Sequence, residues 1–300
     1  MEPTPEVYSL RGKVAVVTGA GAGLGRAEAM ALAAAGADLV VNDVDPAAVA
    51  VVEEIERLGG KAVFVAGDVG ESETADALVA AAVERLGGLH VVVNNAGLLR
   101  DRMLFGMSDE EWDLVIRVHL RGHFLLSRRA AAHWRTQSKE TGAPVHGRIV
   151  NTASEAFLLG PPGQPNYAAA KAGIAALTVS TARALQRYGA TANAICPRAR
   201  TAMTEDVFGA APADGADPLS VDHVAPLVAY LASPAAQTIS GQVFVVHGGM
   251  VALLAPPTVE QRFDSAGQWT LDELDATVGA HFTGRDPGRM FASTEVLGLP

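Results

Sequence analysis

The 300-residue chain is 49% hydrophobic and 19% charged, enough apolar material for a substantial core in one large domain or two small ones. Its 23 basic and 33 acidic residues leave a net charge of −10, which argues against nucleic acid or an anionic membrane as the main partner. One cysteine, Cys196, excludes an internal disulfide framework. There is no apolar run of the ~18 residues that a membrane-spanning helix needs, nor an N-terminal apolar stretch of the secretory kind, so a soluble, cytoplasmic protein is expected.

Residues 1–10 read as a tail. Lys13 to Thr18 is a nearly continuous, β-branched apolar run, the pattern of a strand buried on both faces. It leads into Gly19-Ala20-Gly21-Ala22-Gly23-Leu24-Gly25 and then an alanine-rich helix to about Ala35. Leu39 to Val41 is a second strand, closing on Asn42 and Asp43. The alternation continues with helix 46–58, strand 62–66, helix 72–86, strand 89–93, a long helix around 109–135 and strand 148–152. Helix 166–187, strand 191–195, helix 221–232 and strand 242–246 follow. Such alternation predicts an α/β fold, a doubly wound parallel (Rossmann) sheet covered on both faces. The expected organisation is a tail (1–10), one nucleotide-binding domain (11–249) and a C-terminal extension (250–300). A polar insertion at 136–147 is expected as a surface loop. The extension begins apolar and carries one expected helix near 270–282.

Four strand ends carry candidate ligand contacts. The glycine turn ends a strand and opens a helix, where backbone amides and the positive helix end suit a pyrophosphate; Gly19, Gly21, Gly23, Leu24 and Gly25 are the candidates. Asp43 is placed to accept hydrogen bonds from ribose hydroxyls and to repel a 2′-phosphate, and Ala22 supplies no cation for one, so NAD is favoured over NADP. Asp68 and Val69 close the third strand and are expected to flank the adenine. Asn95 is expected to lock neighbouring strands, while Ala96 and Gly97 leave room for a nucleotide.

Tyr167 and Lys171 are separated by three alanines, a helix turn that points a phenol and an ammonium the same way. Ser154 lies thirteen positions before Tyr167, across a loop rich in glycine and proline. A hydroxyl, a phenol and a cation converging on one point form a proton-transfer device. No close His/Cys ligand spacing occurs, so no metal is expected. Cys196 reads as a small buried residue, and Phe157, Leu158 and Leu159 as pocket lining or ordinary packing. Arg100 and Arg102 are candidates for a ligand phosphate or a salt-bridged surface. Trp112, Val115, Ile116 and Leu120 stand at core spacing.

Together, TGAGAGLG (18–25), Asp43, NNAG (94–97), Ser154, YAAAK (167–171) and Pro197 with TAM (201–203) resemble the short-chain dehydrogenase/reductase family. Residues 98–124, 163–171 and 224–231 further resemble the hydroxyacyl-CoA dehydrogenase domain of peroxisomal multifunctional enzymes and stand-alone actinobacterial relatives. The resemblance implies Tyr167 as acid–base, Ser154 as the hydrogen-bond donor to the substrate oxygen, and Lys171 as partner of Tyr167 and of the nicotinamide ribose. It also implies nicotinamide contacts from Pro197 and Thr201, and subunit association as a homodimer or homotetramer. His119 stands where most members carry a catalytic asparagine, and is expected to act through its backbone carbonyl. Arg198 replaces a usual glycine. The implied reaction is NAD-dependent oxidation of a 3-hydroxyacyl-CoA bearing a fatty or steroid group. An acyl-carrier-protein-linked 3-oxoacyl reductase, a hydroxysteroid dehydrogenase and a catalytically silent nucleotide-binding scaffold remain alternatives. The sequence leaves open whether the extension caps the substrate site or wraps a neighbour.

Overall fold

The computed structural model describes residues 5–204, 208–212, 217–286 and 288–299. Residues 1–4 of the expected tail, and residues 287 and 300 of the expected extension, lie outside that set.

Among the described residues eight strands form one sheet: β1 (Val14–Thr18), β2 (Asp38–Asp43), β3 (Ala62–Ala66), β4 (Val91–Asn94), β5 (Arg148–Thr152), β6 (Thr191–Pro197), β7 (Val243–His247) and β8 (Met250–Leu253). Their spatial order is β3-β2-β1-β4-β5-β6-β7-β8. All neighbours are parallel except β7 and β8. From β1 the chain first winds outward through β2 and β3, then returns to place β4 on the other side of β1. That reversal opens a crevice at the carboxyl ends of β1 and β4, where sheets of this kind take their ligands.

The run Val14-Ala15-Val16-Val17 shows why the strands are apolar throughout. Side chains alternate across a sheet, so Ala15 and Val17 pack into one layer and Val14 and Val16 into the other. The first layer contains Leu32 of α1 (Gly23–Ala34), Ile55 of α2 (Val49–Arg57) and Val228 of α8 (Ala225–Ala232). The second contains Leu78 of α3 (Ser72–Ala80), Leu126 and Trp134 of α5 (Gly122–Thr141), and Leu185 of α7 (Pro165–Leu185). Helices cover both faces, and a polar group inside is costly unless it is hydrogen-bonded. Trp134 meets that condition by donating its indole N–H to the Leu89 carbonyl at 2.7 Å.

A buried polar chain crosses the second layer. Asn94 Nδ2 donates to Asn151 Oδ1 at 2.9 Å and to Ser127 Oγ at 3.1 Å. Asn151 Nδ2 donates to Thr178 Oγ1 at 2.9 Å, and that hydroxyl donates to the Ile174 carbonyl at 2.8 Å. β4, β5 and α7 are thereby tied together below the crevice.

Four expectations change. α5 runs to Thr141, so the polar stretch 136–147 is helical for its first half. Gly142, with φ of 66°, ends it in the left-handed cap that glycine adopts freely. The extension begins with a strand: β8 turns back at Gly248 and pairs antiparallel with β7, Val245 opposite Ala252. Trp112 is not core, being exposed on α4 (Asp109–Ile116), whereas Val115 is fully buried. Leu10, counted with the tail, is also fully buried. The expected helix near 270–282 is present, starting as α9 (Leu271–Leu274) behind a Thr270 capping box. Among the described residues no helix is long and apolar enough to cross a membrane.

Candidate active site

The crevice is a cavity of about 530 Å³. One end is built by the glycine turn. Gly19 has a φ of 61°, and a Cβ there would sit 2.8 Å from Ala96 Cα, so both conformation and space demand glycine. Asn95 clasps this turn, donating from Nδ2 to the Thr18 and Gly19 carbonyls at 3.0 and 3.2 Å. In return Thr18 Oγ1 accepts from the Asn95 and Ala96 amides at 3.0 and 3.2 Å. The expected strand lock therefore joins the end of β1 to the end of β4.

Gly19, Gly23, Leu24, Asp43, Asp68, Val69, Asn95, Ala96 and Gly97 all line the cavity, as do Pro197 and Thr201. Gly21 and Gly25 stand behind it. The Gly21 amide is committed to Asp43 Oδ2 at 2.9 Å, and Gly25 packs against the Gly19 carbonyl. Asp68 is held by Arg117, 2.8 Å from Oδ2, while its Oδ1 accepts the Gly70 amide.

At the other end Ser154, Tyr167, Lys171 and His119 share the wall. Pro165 at the first turn of α7 pre-sets the backbone for the helix that carries Tyr167 and Lys171. Ser154 comes from the end of β5, just before the short helix α6 (Ala156–Leu159). Lys171 is buried, its Nζ donating to the Thr152 carbonyl at 2.5 Å and standing 5.3 Å from the centre of the Tyr167 ring.

Electrostatics in the site are governed by dehydration. Burial disfavours charge on either group, raising the Tyr167 phenol to about 12 and lowering the Lys171 ammonium to about 7. A hydrogen bond with the Ser154 side chain acts on Tyr167 in the opposite, ionising direction. Lys171 and the charge of an oxidised nicotinamide are expected to stabilise the phenolate together, and dehydration is the largest influence opposing them.

His119 occupies a wide, π-type turn (Arg117–Arg121) between α4 and α5. Its ring meets the Tyr167 ring edge-on with centroids 5.2 Å apart. Nε2 lies 3.0 Å from the Leu98 amide and 2.8 Å from the Leu98 carbonyl. Burial, followed by the charge of Lys171, lowers its pKa to about 3, so the ring is neutral. A Cβ on Gly97 would fall 2.3 Å from His119 Cε1, which makes that glycine a seat for the imidazole. His123, which the sequence does not single out, is buried one turn on and hydrogen-bonds the His119 backbone. Its signal was available: residues four apart on a helix share a face.

Cys196 is fully buried and its thiol is pushed up to about 12, as an inert core residue should be. Phe157 packs with Ala153, Ile174 and Cys196. Arg102 pairs with Glu111 at 3.1 Å, a surface ion pair, and Arg100 donates to the Leu99 carbonyl. Thr152, Leu98, Leu114, Val118, Ala199 and Thr204 also line the wall without a motif to announce them, and Met203 lines it from the TAM stretch. No cluster of metal-ligating side chains exists among the described residues.

A nicotinamide dinucleotide suits this cavity. It is long enough to run between two strand ends, with close-approach backbone at one end and a proton-transfer group at the other. Comparison with known proteins agrees. The family profile described as short chain dehydrogenase matches residues 13–210. The hydroxyacyl-CoA dehydrogenase ChsB1 of Mycobacterium tuberculosis is 61% identical, over 98% of this chain and 96% of its own length. The peroxisomal multifunctional enzyme type 2 of Mus musculus is 41% identical over 81% of this chain, a match spanning 32% of that enzyme. The crystal structure of a short chain dehydrogenase from Mycobacterium avium superposes with a TM-score of 0.83 at 42% identity, covering 94% of this chain and 98% of that one.

Proposed function

Because the chain belongs to the short-chain dehydrogenase family, an oxidoreductase family that uses nicotinamide dinucleotides, we propose that it oxidises 3-hydroxyacyl-CoA thioesters with NAD. The observation that carries this reading is the convergence of Ser154, Tyr167 and Lys171 on the cavity that also holds the glycine turn and Asp43. The similarity to a hydroxyacyl-CoA dehydrogenase supports the thioester. The carboxylate of Asp43 at the cavity wall, with Ala22 beside it, supports NAD over NADP.

In this mechanism Ser154 donates a hydrogen bond to the substrate oxygen and steadies charge developing there. Tyr167 removes the hydroxyl proton in oxidation and returns it in reduction. Lys171, held by the Thr152 carbonyl, is in place to bond the nicotinamide ribose while standing behind the phenol. His119, neutral and fixed to Leu98, positions the Tyr167 ring. The bound dinucleotide supplies the hydride acceptor and, when oxidised, positive charge that favours the phenolate. Exposed Trp112 and Phe124 on α4 and α5 fit association of two copies through these helices.

The test is NADH absorbance with purified protein, NAD and a panel of 3-hydroxyacyl-CoAs, steroid-CoAs, carrier-protein thioesters and free hydroxysteroids. Turnover of CoA thioesters is expected. Activity confined to free steroids or to carrier-protein thioesters would overturn the substrate assignment. NADH binding with no turnover across the panel would point instead to a silent nucleotide-binding scaffold.

A further inference from the structure

Residues 293–299 return to the loop that follows Ser154. The Ser293 amide donates to the Leu158 carbonyl at 3.0 Å, Val296 is 5% exposed, and Leu299 packs against the apolar cluster of Ala153, Phe157 and Cys196. A single guanidinium fixes this return. Arg198 Nε and Nη2 reach the two carboxylate oxygens of Glu155 at 2.7 and 2.9 Å, a two-pronged ion pair. The same group donates from Nη2 to the Val296 carbonyl and from Nη1 to the Leu299 carbonyl at 3.1 Å. Nη1 also stands 3.1 Å from His247 Nε2 at the end of β7.

Placement gives the contact its meaning. Glu155 directly follows Ser154 and Arg198 directly follows Pro197, and both predecessors line the cavity. Asp43 and the glycine turn mark the adenosine end, so the flank beyond Ser154 is where the rest of a substrate must lie. Both side chains of the pair are largely shielded, at 17% and 14% exposure, so water screens their attraction less than it would on the surface. The pair raises the pKa of Arg198, as mutual stabilisation requires.

We propose that Arg198 and Glu155 form a positioning clamp that seats residues 293–299 as the wall of the substrate's acyl end, so that this segment sets which acyl groups are accepted. The proposal rests on the hydroxyacyl-CoA reading for its substrate. The clamp itself is testable without one.

The experiment uses the full chain as Arg198→Gln, Arg198→Lys and Leu299→Ser. Hydrogen exchange of residues 293–299 is followed alongside NADH binding, and KM and kcat are measured on short and long 3-hydroxyacyl-CoAs. Arg198→Gln is expected to lower protection of the segment about tenfold or more. It should raise KM for long acyl chains about tenfold, with a smaller than roughly twofold change for short ones and with kcat and NADH affinity held. Arg198→Lys, which keeps the charge without the fork, should recover part of both effects. Leu299→Ser, with the ion pair intact, should reproduce the length-selective KM change, which guards against a folding defect in the arginine variants. Unchanged protection, or equal loss on short and long substrates, would overturn the clamp. If the wild-type chain turns over no CoA thioester, the function reading fails. In that case loss of protection in Arg198→Gln still upholds the clamp, and unchanged protection still refutes it.

Discussion

Asp43 Oδ2 accepts the Gly21 backbone amide at 2.9 Å, so the residue expected to read the cofactor also braces the loop that cradles it. The two duties can be separated by a variant that keeps the acceptor and loses the charge. Asp43→Asn should leave the glycine turn in place while removing the repulsion of a 2′-phosphate. The ratio of kcat/KM with NADP to that with NAD is expected to rise about tenfold or more. An unchanged ratio would show that the Asp43 charge does not choose the cofactor.

Proton transfer should carry the signature of two shifted groups. With Tyr167 raised to about 12 by burial, alcohol oxidation must speed up with pH until the phenol ionises in the loaded site. The positive charge of bound NAD moves that limb down, whereas Lys171, lowered to about 7, adds to it only while protonated, so in a pH profile of kcat/KM at saturating NAD Lys171→Met should slow the reaction chiefly below about pH 7. Tyr167→Phe should lower kcat by about a thousandfold with NADH affinity little changed. Retention of more than about a tenth of wild-type turnover would remove Tyr167 from its role.

Gly97 and His119 make a second separable pair. A methyl group on residue 97 would fall 2.3 Å from His119 Cε1, a distance no relaxation of a buried ring absorbs without moving it. Gly97→Ala should displace the imidazole from Leu98 and from the Tyr167 edge. A drop in kcat of about a hundredfold is expected. A double variant that also shortens His119 to alanine should lose less than the single one, because the clash is gone.

Stability should carry the mark of Glu28. Its carboxyl lies fully buried in α1, neither oxygen has a hydrogen-bond partner, and dehydration raises its pKa to about 8. The folded state therefore holds this proton where the unfolded chain, with an ordinary carboxyl, releases it. Stability is lost as pH rises from the unfolded value toward about 8, an effect of order a few kcal/mol. Glu28→Gln cannot ionise, so thermal melts should show its advantage over wild type growing between about pH 5 and pH 8. A constant offset across that range would refute the assignment.

The readable parts of the chain were those in which a local pattern has one physical cause. Val14 to Val17 had to be buried on both faces, and the glycines after Thr18 had to be a tight turn at a strand end. Tyr167 and Lys171 had to share a helix face. Parts governed by long-range contact were opaque. TQSKET (136–141) is polar enough for a loop, yet it finishes α5 as a solvated helical end. Met250 to Leu253 is too short to declare itself a strand without the edge of β7 to pair with. Arg198 stood out as a substitution for glycine, but its partners lie 43 and about 100 positions away in sequence. Dehydration at Tyr167 and Lys171 was likewise invisible, because it depends on everything packed around them.

The buried chain from Asn94 through Asn151 to Thr178 has a consequence for the catalytic pair. Thr178 is seven residues after Lys171, two turns along the same face of α7, or about 10 Å. Apolar packing alone lets a helix creep along its axis with little penalty. A hydroxyl pinned to an amide in a dry interior does not, since a shift of one residue swings it about 100° away from its partner. The asparagine ladder thus works as a depth stop: it sets how far Tyr167 and Lys171 project into the crevice from a point well below it. Variants at Asn151 or Thr178 would then leave every reacting group present but misaligned, a fault of measurement rather than of chemistry.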